Sequence, residues 1–169
     1  LPTGFVMMVY GHSGNGKTEF MIQLAKYLAM FGRVAWWSYE QRHGFDLQMA
    51  VERNNMKEVS GNFIVVDPIA KLKPGMTLFE ELCENMAKRN SPQFYIIDSY
   101  DYVRFTFDEY VELRNRFAGK KGIIFISHEQ GGKPKKAVAE SIGYDGGLTI
   151  QVKKFIAHVD KNRFGGYEP

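Results

Sequence analysis

Residues Gly11, His12, Ser13, Gly14, Asn15, Gly16, Lys17 and Thr18 satisfy the pattern G-x-x-x-x-G-K-[ST] at every fixed position. Such a segment can hold a chain of phosphates. Glycines let successive backbone N–H groups turn toward one anion, and a helix that starts directly afterwards adds the positive end of its dipole. Lys17 is expected to reach the β- and γ-phosphates, and the Thr18 hydroxyl to ligate Mg²⁺. Composition makes a chance match an event of about one per cent for a chain this long. The expected ligand is a nucleoside triphosphate, ATP with Mg²⁺.

Four further polar residues close apolar runs downstream: Glu40, Asp67, Asp98 and His128. Parallel sheets gather ligands at the carboxyl ends of their strands, so these are the places to look for chemistry. Asp98 follows Phe94-Tyr95-Ile96-Ile97 and suits a carboxylate that holds Mg²⁺ through water. Glu40 suits the carboxylate that orients and deprotonates a water in line with the γ-phosphorus; its bland reading is a helix cap or a surface charge. His128 can donate to the γ-phosphate and report its loss, or simply serve as a structural hydrogen-bonder. Cys83 falls on the apolar side of its helix, so a core role is expected.

The elements that must position these residues follow from periodicity. Residues 5–10 form a continuous apolar run, as in a buried parallel strand. Beyond Thr18, Phe20, Met21, Leu24, Ala25, Tyr27 and Leu28 recur at helical spacing. Strands are predicted over 33–39, 63–66, 94–98 and 122–127, and helices over 45–57, 78–88 and 108–117. This alternation predicts an α/β fold with a mainly parallel twisted sheet of about five strands flanked by helices. From Leu148 the pattern changes: Leu148, Ile150 and Val152 share one face, followed by Phe155, Ala157 and Val159. An antiparallel pair at the C-terminal edge is expected, although the turn near Lys153-Lys154 lacks the Gly or Asn of a tight hairpin.

Phosphate loop, Glu after the second strand, Asp after the fourth and a polar residue after the fifth together resemble the core of the RecA-like P-loop ATPases. The segment Asp160-Lys161-Asn162-Arg163-Phe164-Gly165-Gly166 resembles the K-N-R-F-G segment of RadA-type recombination ATPases. It is also similar to the Lys-x-Arg segment of DnaB-type hexameric helicases. Ser127-His128-Glu129 resembles the His-bearing sensor of phage replicative helicases. The resemblance implies that Lys161 and Arg163 insert into a neighbouring subunit's site and stabilise γ-phosphate charge, within a homo-oligomer that is a hexameric ring or a filament. Arg forks onto phosphate oxygens and Lys acts as a point charge, which suits both residues to that role. The alternative is a solvated basic turn. The resemblance also places single-stranded or duplex DNA along the loop Gln130 to Gly147, with Gly131, Gly132, Lys133, Lys135 and Lys136. Lysines there would neutralise phosphates without reading sequence. Tyr100, Tyr102, Phe105 and Phe107 could stack on bases, but core packing is the expectation.

Composition sets the outer bounds. The 169 residues are 44% hydrophobic, which suits one domain with a substantial core and excludes disorder. A single cysteine rules out an internal disulfide and fits a reducing, cytoplasmic setting. No run is apolar enough to span a bilayer, so no membrane partner is expected. The net charge of +3 permits nucleic acid without demanding it. The chain opens with Leu1, and a domain of a longer protein is expected. A RecA-like ATPase acting on DNA is the leading reading. A regulatory or assembly ATPase without nucleic acid is the alternative, and a small-molecule kinase lacks its arginine-rich lid. A GTPase is disfavoured, since no N-K-x-D segment occurs.

Overall fold

Short apolar runs alternate with amphipathic stretches, and the computed structural model turns them into a twisted sheet with helices on both faces. It describes residues 4–40, 44–70, 72–103 and 105–165. In chain order the first half comprises β1 (Val6–Gly11), α1 (Lys17–Leu28), β2 (Val34–Ser38), α2 (Phe45–Arg53), β3 (Phe63–Val66) and α3 (Leu78–Ala87). The second half comprises β4 (Phe94–Asp98), α4 (Tyr100–Val103), α5 (Phe107–Phe117), β5 (Gly122–Gln130), β6 (Lys133–Pro134), α6 (Ala137–Asp145), β7 (Leu148–Lys153) and β8 (Ile156–Asn162). The sheet order is β3-β2-β4-β5-β1-β7-β8, with β6 paired to the end of β5. Every neighbouring pair from β3 to β7 is parallel, and β8 closes the edge antiparallel to β7.

Alternation along each buried strand splits the core in two, because successive side chains point to opposite faces. Val6, Met8, Trp37, Tyr95, Ile97 and Phe125 pack with α3, α5 and α6. Met7, Val9, Trp36, Ile96, Ile124 and Ile150 pack with α1 and α2. Local signals start the helices of the first layer. The Thr77 hydroxyl accepts from Glu80 N at 3.2 Å while the Glu80 carboxylate accepts from Thr77 N at 2.8 Å, a reciprocal cap for α3. Thr106 and Glu109 repeat that exchange at the start of α5, at 3.1 and 2.7 Å.

The expected α/β architecture is present, and the expected antiparallel pair at the C-terminal edge is β7–β8. β7 also runs parallel to β1 and so joins the pair to the parallel set. Its hydrophobic alternation reads as an edge strand because one face meets α1 and the other lies toward small residues of α6. The stretch 130–147, expected as a loop, is largely structured: the end of β5, then β6, then α6. Its Ala-Val-Ala-Glu-Ser-Ile run carries helical spacing that the flanking lysines and glycines mask. Tyr27, one of the residues that set the helical spacing of α1, is 57% exposed. Cys83 is buried as expected, and burial pushes its thiol up to about 11. Of the four aromatic residues after Asp98, Tyr100 and Phe105 are core while Tyr102 and Phe107 are exposed. No helix among the described residues is long and apolar enough to cross a membrane.

Candidate nucleotide site

The phosphate loop leaves the carboxyl end of β1 and ends in the first turn of α1. Backbone demands explain its glycines. A Cβ on Gly11 would lie 2.2 Å from the Val152 carbonyl oxygen, so β7 could not approach. Gly14 and Gly16 adopt φ of +75° and +90°, a left-handed region that other residues enter at a cost. Gly16 is also the N-cap of α1, with no side chain to satisfy the first N–H groups, which leaves them for an anion. Lys17 is buried, and its Nζ donates to the carbonyls of Gly11 at 2.7 Å and His12 at 3.0 Å. Its ammonium therefore lies folded over the loop. Burial lowers the Lys17 pKa, opposed by the charges of Glu40 and Asp98.

Three strand ends bring the acidic residues and the histidine together. Tyr39 N and Glu40 N both donate to the Asp98 carbonyl, at 2.6 and 3.1 Å, so the chain after β2 is clamped to the end of β4. Asp98 is 5% exposed, and Trp36 Nε1 donates to its Oδ2 at 3.2 Å. Burial, reinforced by the Glu40 charge, pushes its carboxyl up to about 7. Glu40 Oε2 and His128 Nε2 lie 3.2 Å apart. That contact is the main cause lowering the Glu40 pKa and raising the His128 pKa, so the pair favours carboxylate and imidazolium. His128 sits within β5, opposite Gly11, where a strand end was expected. Asp101 holds it there: its Oδ2 accepts from His128 N at 2.8 Å and from the Ser127 hydroxyl at 3.2 Å.

These residues face one cavity of about 580 Å³, within the range that ligand pockets usually occupy. Lys17, Thr18, Glu40, Asp98 and His128 line it, and Phe45 and Phe155 stand at its border. Ser13, Gly14 and Gly16 also face it, whereas Gly11, His12 and Asn15 shape the loop from outside. His12 Nε2 lies 3.3 Å from Glu129, and Asn15 carries the tip of the β7–β8 hairpin. The Asn15 side chain accepts from Lys154 N at 2.9 Å and its carbonyl from Phe155 N at 3.1 Å. Lys154 and Phe155 take φ of +51° and +63°, the two-residue turn that normally recruits Asn-Gly. A Cβ on Gly16 would meet the Phe155 ring at 2.6 Å, so that glycine also makes room for the aromatic. Phe155, Phe45, Trp36 and Asp101 were not singled out from sequence. The absence of Gly and Asn from a hairpin turn was the available signal for Phe155.

Lys161 and Arg163 lie elsewhere. Lys161 Nζ donates to the carbonyls of Gly143 at 3.1 Å and Gly146 at 2.7 Å, and also to that of Tyr144. Arg163 donates to the carbonyls of Asp145 at 3.2 Å and Tyr144 at 3.0 Å. Both cations thus neutralise the negative end of α6 in their own chain. The donor set in the cavity suits a hard divalent cation: a hydroxyl on Thr18 and carboxylates on Asp98 and Glu40. Among the described residues no cluster of three or more His, Cys, Asp or Glu could hold a metal alone.

No family model matches the sequence, and neither does any curated protein. Solved structures do resemble it. The flagellar accessory protein FlaH from Methanocaldococcus jannaschii aligns with a TM-score of 0.67 and 22% identity over 99% of this chain and 84% of its own. The RadB recombinase aligns with a TM-score of 0.62 and 19% identity over 96% of this chain and 83% of its own. With a phosphate loop after the first strand of a mainly parallel sheet, these likenesses give the chain the fold of the RecA-like P-loop ATPases.

Proposed function

We propose that the chain is a Mg²⁺-dependent ATPase whose turnover is coupled to DNA in replication, recombination or repair. One observation carries the ATPase reading: Lys17, Thr18, Glu40, Asp98 and His128 converge on a single cavity from separate strand ends. The loop N–H groups and Lys17 bind and orient the β- and γ-phosphates, with Lys17 leaving its backbone carbonyls for phosphate oxygens. Thr18 and Asp98 would hold Mg²⁺, which supplies charge neutralisation across the phosphates when bound. Glu40 orients the attacking water and takes its proton. While paired with imidazolium it is a weak base, so His128 must turn toward the γ-phosphate to release it. His128 is then a sensor that couples phosphate occupancy to the activity of Glu40. The aromatic faces of Phe45 and Phe155 suit a planar base.

Coupling to DNA rests on the RadA- and DnaB-type resemblance, on the lysines of 130–147 and on the recombinase likeness. In the assembled ring or filament, Lys161 and Arg163 would release the carbonyls of α6 and reach a neighbouring subunit's site. A second reading, a regulatory or assembly ATPase without nucleic acid, is favoured by a specific observation. Lys133 is paired with Glu140 at 2.9 Å, and α6 occupies the latter half of the expected DNA loop. ATP turnover with Mg²⁺, measured with and without single-stranded DNA, separates the two. Stimulation by DNA supports coupling, unchanged turnover selects the second reading, and absent turnover removes both.

A further inference from the structure

Opposite the phosphate loop, the segments entering β2, β4 and β5 form a second polar surface. The sheet order places these strands side by side, so residues 29–33, 88–93 and 118–121 lie together at the amino ends of the strands. They carry Arg33, Lys88, Arg89, Lys120 and Lys121 and no Asp or Glu. Backbone contacts knit them: Gln93 N donates to the Arg33 carbonyl at 2.9 Å, Gly122 N to the Gln93 carbonyl at 2.9 Å, and the Arg33 guanidinium to the Asn90 carbonyl. A concave cavity of about 480 Å³ opens there, lined by Lys88, Arg89, Arg116, Lys120 and Lys121. Its lining includes no carboxylate. Among the described residues none of these cations is ion-paired. Lys121 is anchored, its Nζ donating to the Ser91 hydroxyl and the Pro92 carbonyl at 2.7 Å. Burial and the nearby Arg33 charge lower its pKa.

At the same end of the sheet, on the face opposite α3 and α5, the end of α1 exposes apolar surface. Tyr27, Met30 and Phe31 are 57%, 72% and 65% exposed, and the Tyr27 and Phe31 rings meet edge-on at 5.1 Å. Phe31 precedes Gly32, against which the Gln93 side chain packs, and Gln93 also lines the cavity, so one residue links the aromatic pair to the basic lining.

We propose that this face binds single-stranded nucleic acid, with phosphates in the basic cavity and bases on Tyr27 and Phe31. Cations beside exposed aromatic rings are the two components of sequence-tolerant single-strand binding. A flexible strand can enter a concave pocket, whereas a flat lipid headgroup layer cannot follow it. The surface is separate from residues 130–147 and lies at the other end of the sheet from the nucleotide cavity.

The test is anisotropy titration of a fluorescent oligo-dT across a range of salt, with wild type, Arg89→Glu/Lys120→Glu, Lys88→Ala/Arg89→Ala and Phe31→Ala. Wild type should bind, and the double reversal should weaken binding at least about 10-fold and flatten the log–log salt slope by roughly 1.4, about 0.7 per lost phosphate contact. Phe31→Ala should weaken it about 5-fold or more. Basal ATP turnover should be unchanged in every variant, which also shows that each folds. Wild type that fails to bind, or variants that bind with wild-type affinity and slope, would overturn the proposal. So would binding confined to phosphatidylserine vesicles, or binding lost only in Lys135→Glu/Lys136→Glu. A chain without ATP turnover that still binds through Arg89 and Lys120, with melting curves confirming folded variants, would keep this inference and remove the proposed ATPase.

Discussion

Replacing Asp98 by Asn should stabilise the unliganded chain while impairing its chemistry. Asp98 is buried at the end of β4, and its carboxyl is pushed up to about 7, against about 3.9 in an unfolded chain. A raised folded pKa means that the protonated group is accommodated and the charged one is penalised. Stability contributed by this site is therefore fully present below about pH 4 and is lost as pH rises through about 7. Linkage across that interval gives a penalty of about 2 kcal/mol at pH 5, growing to about 4 kcal/mol at pH 8. Asn carries no charge and keeps an oxygen for Trp36 Nε1. Urea unfolding at both pH values measures the difference, with midpoints compared at constant slope. Asp98→Asn should exceed wild type by a margin that widens by roughly 2–3 kcal/mol between pH 5 and pH 8. A margin independent of pH, or a variant less stable than wild type at pH 8, would refute the reasoning. The same variant should need more Mg²⁺ for nucleotide binding, since it removes charge beside the metal.

Glu40→Gln should bind Mg·ATP normally and lose turnover by about 10²-fold or more, read by a nucleotide titration beside a phosphate-release assay. Lys17→Ala should abolish tight nucleotide binding in the same titration, because the charge-assisted contact to the phosphates disappears. Lys154→Asn with Phe155→Gly should raise stability by ~1–2 kcal/mol per relieved left-handed residue, yet weaken nucleotide binding by removing the aromatic wall; melting and titration on one preparation read both. If Arg163 acts in trans, Arg163→Ala mixed with Glu40→Gln should recover turnover that neither shows alone, and no recovery leaves Arg163 as the cap of α6.

How much was legible depended on whether local chemistry or tertiary context set each feature. The turn of the glycine loop was legible because the left-handed conformations of Gly14 and Gly16 and the close approach at Gly11 are backbone properties tied to residue type and spacing. Asp98 stood out because a carboxylate ending an apolar strand is costly unless something uses it. α6 was missed because lysines and glycines around a short apolar run look like a solvated loop. Only the packing of Ala139 and Ile142 on β1 and its neighbours makes that run a helix. Lys161 and Arg163 matched a motif, but a motif does not encode which carbonyls lie within reach. Phe155 illustrates the limit best. Its turn violates local preference, and the compensation lies in Asn15, far away in sequence.

That compensation joins two parts of the molecule mechanically. A turn with two non-glycine residues in left-handed conformation is unfavourable alone by ~1–2 kcal/mol each. Two hydrogen bonds to Asn15 and the seat of Phe155 against Gly16 hold it in place. Any movement of the phosphate loop must therefore carry the tip of the hairpin or break both bonds. At the other end of β8, Asp160 accepts from the Tyr10 hydroxyl at 2.5 Å, while Lys161 and Arg163 grip the end of α6. One strand thus connects the glycine loop to the helix that lies in the expected DNA path. A shift of the hairpin tip on nucleotide binding would be felt at α6 through β8, without any change in the order of the sheet.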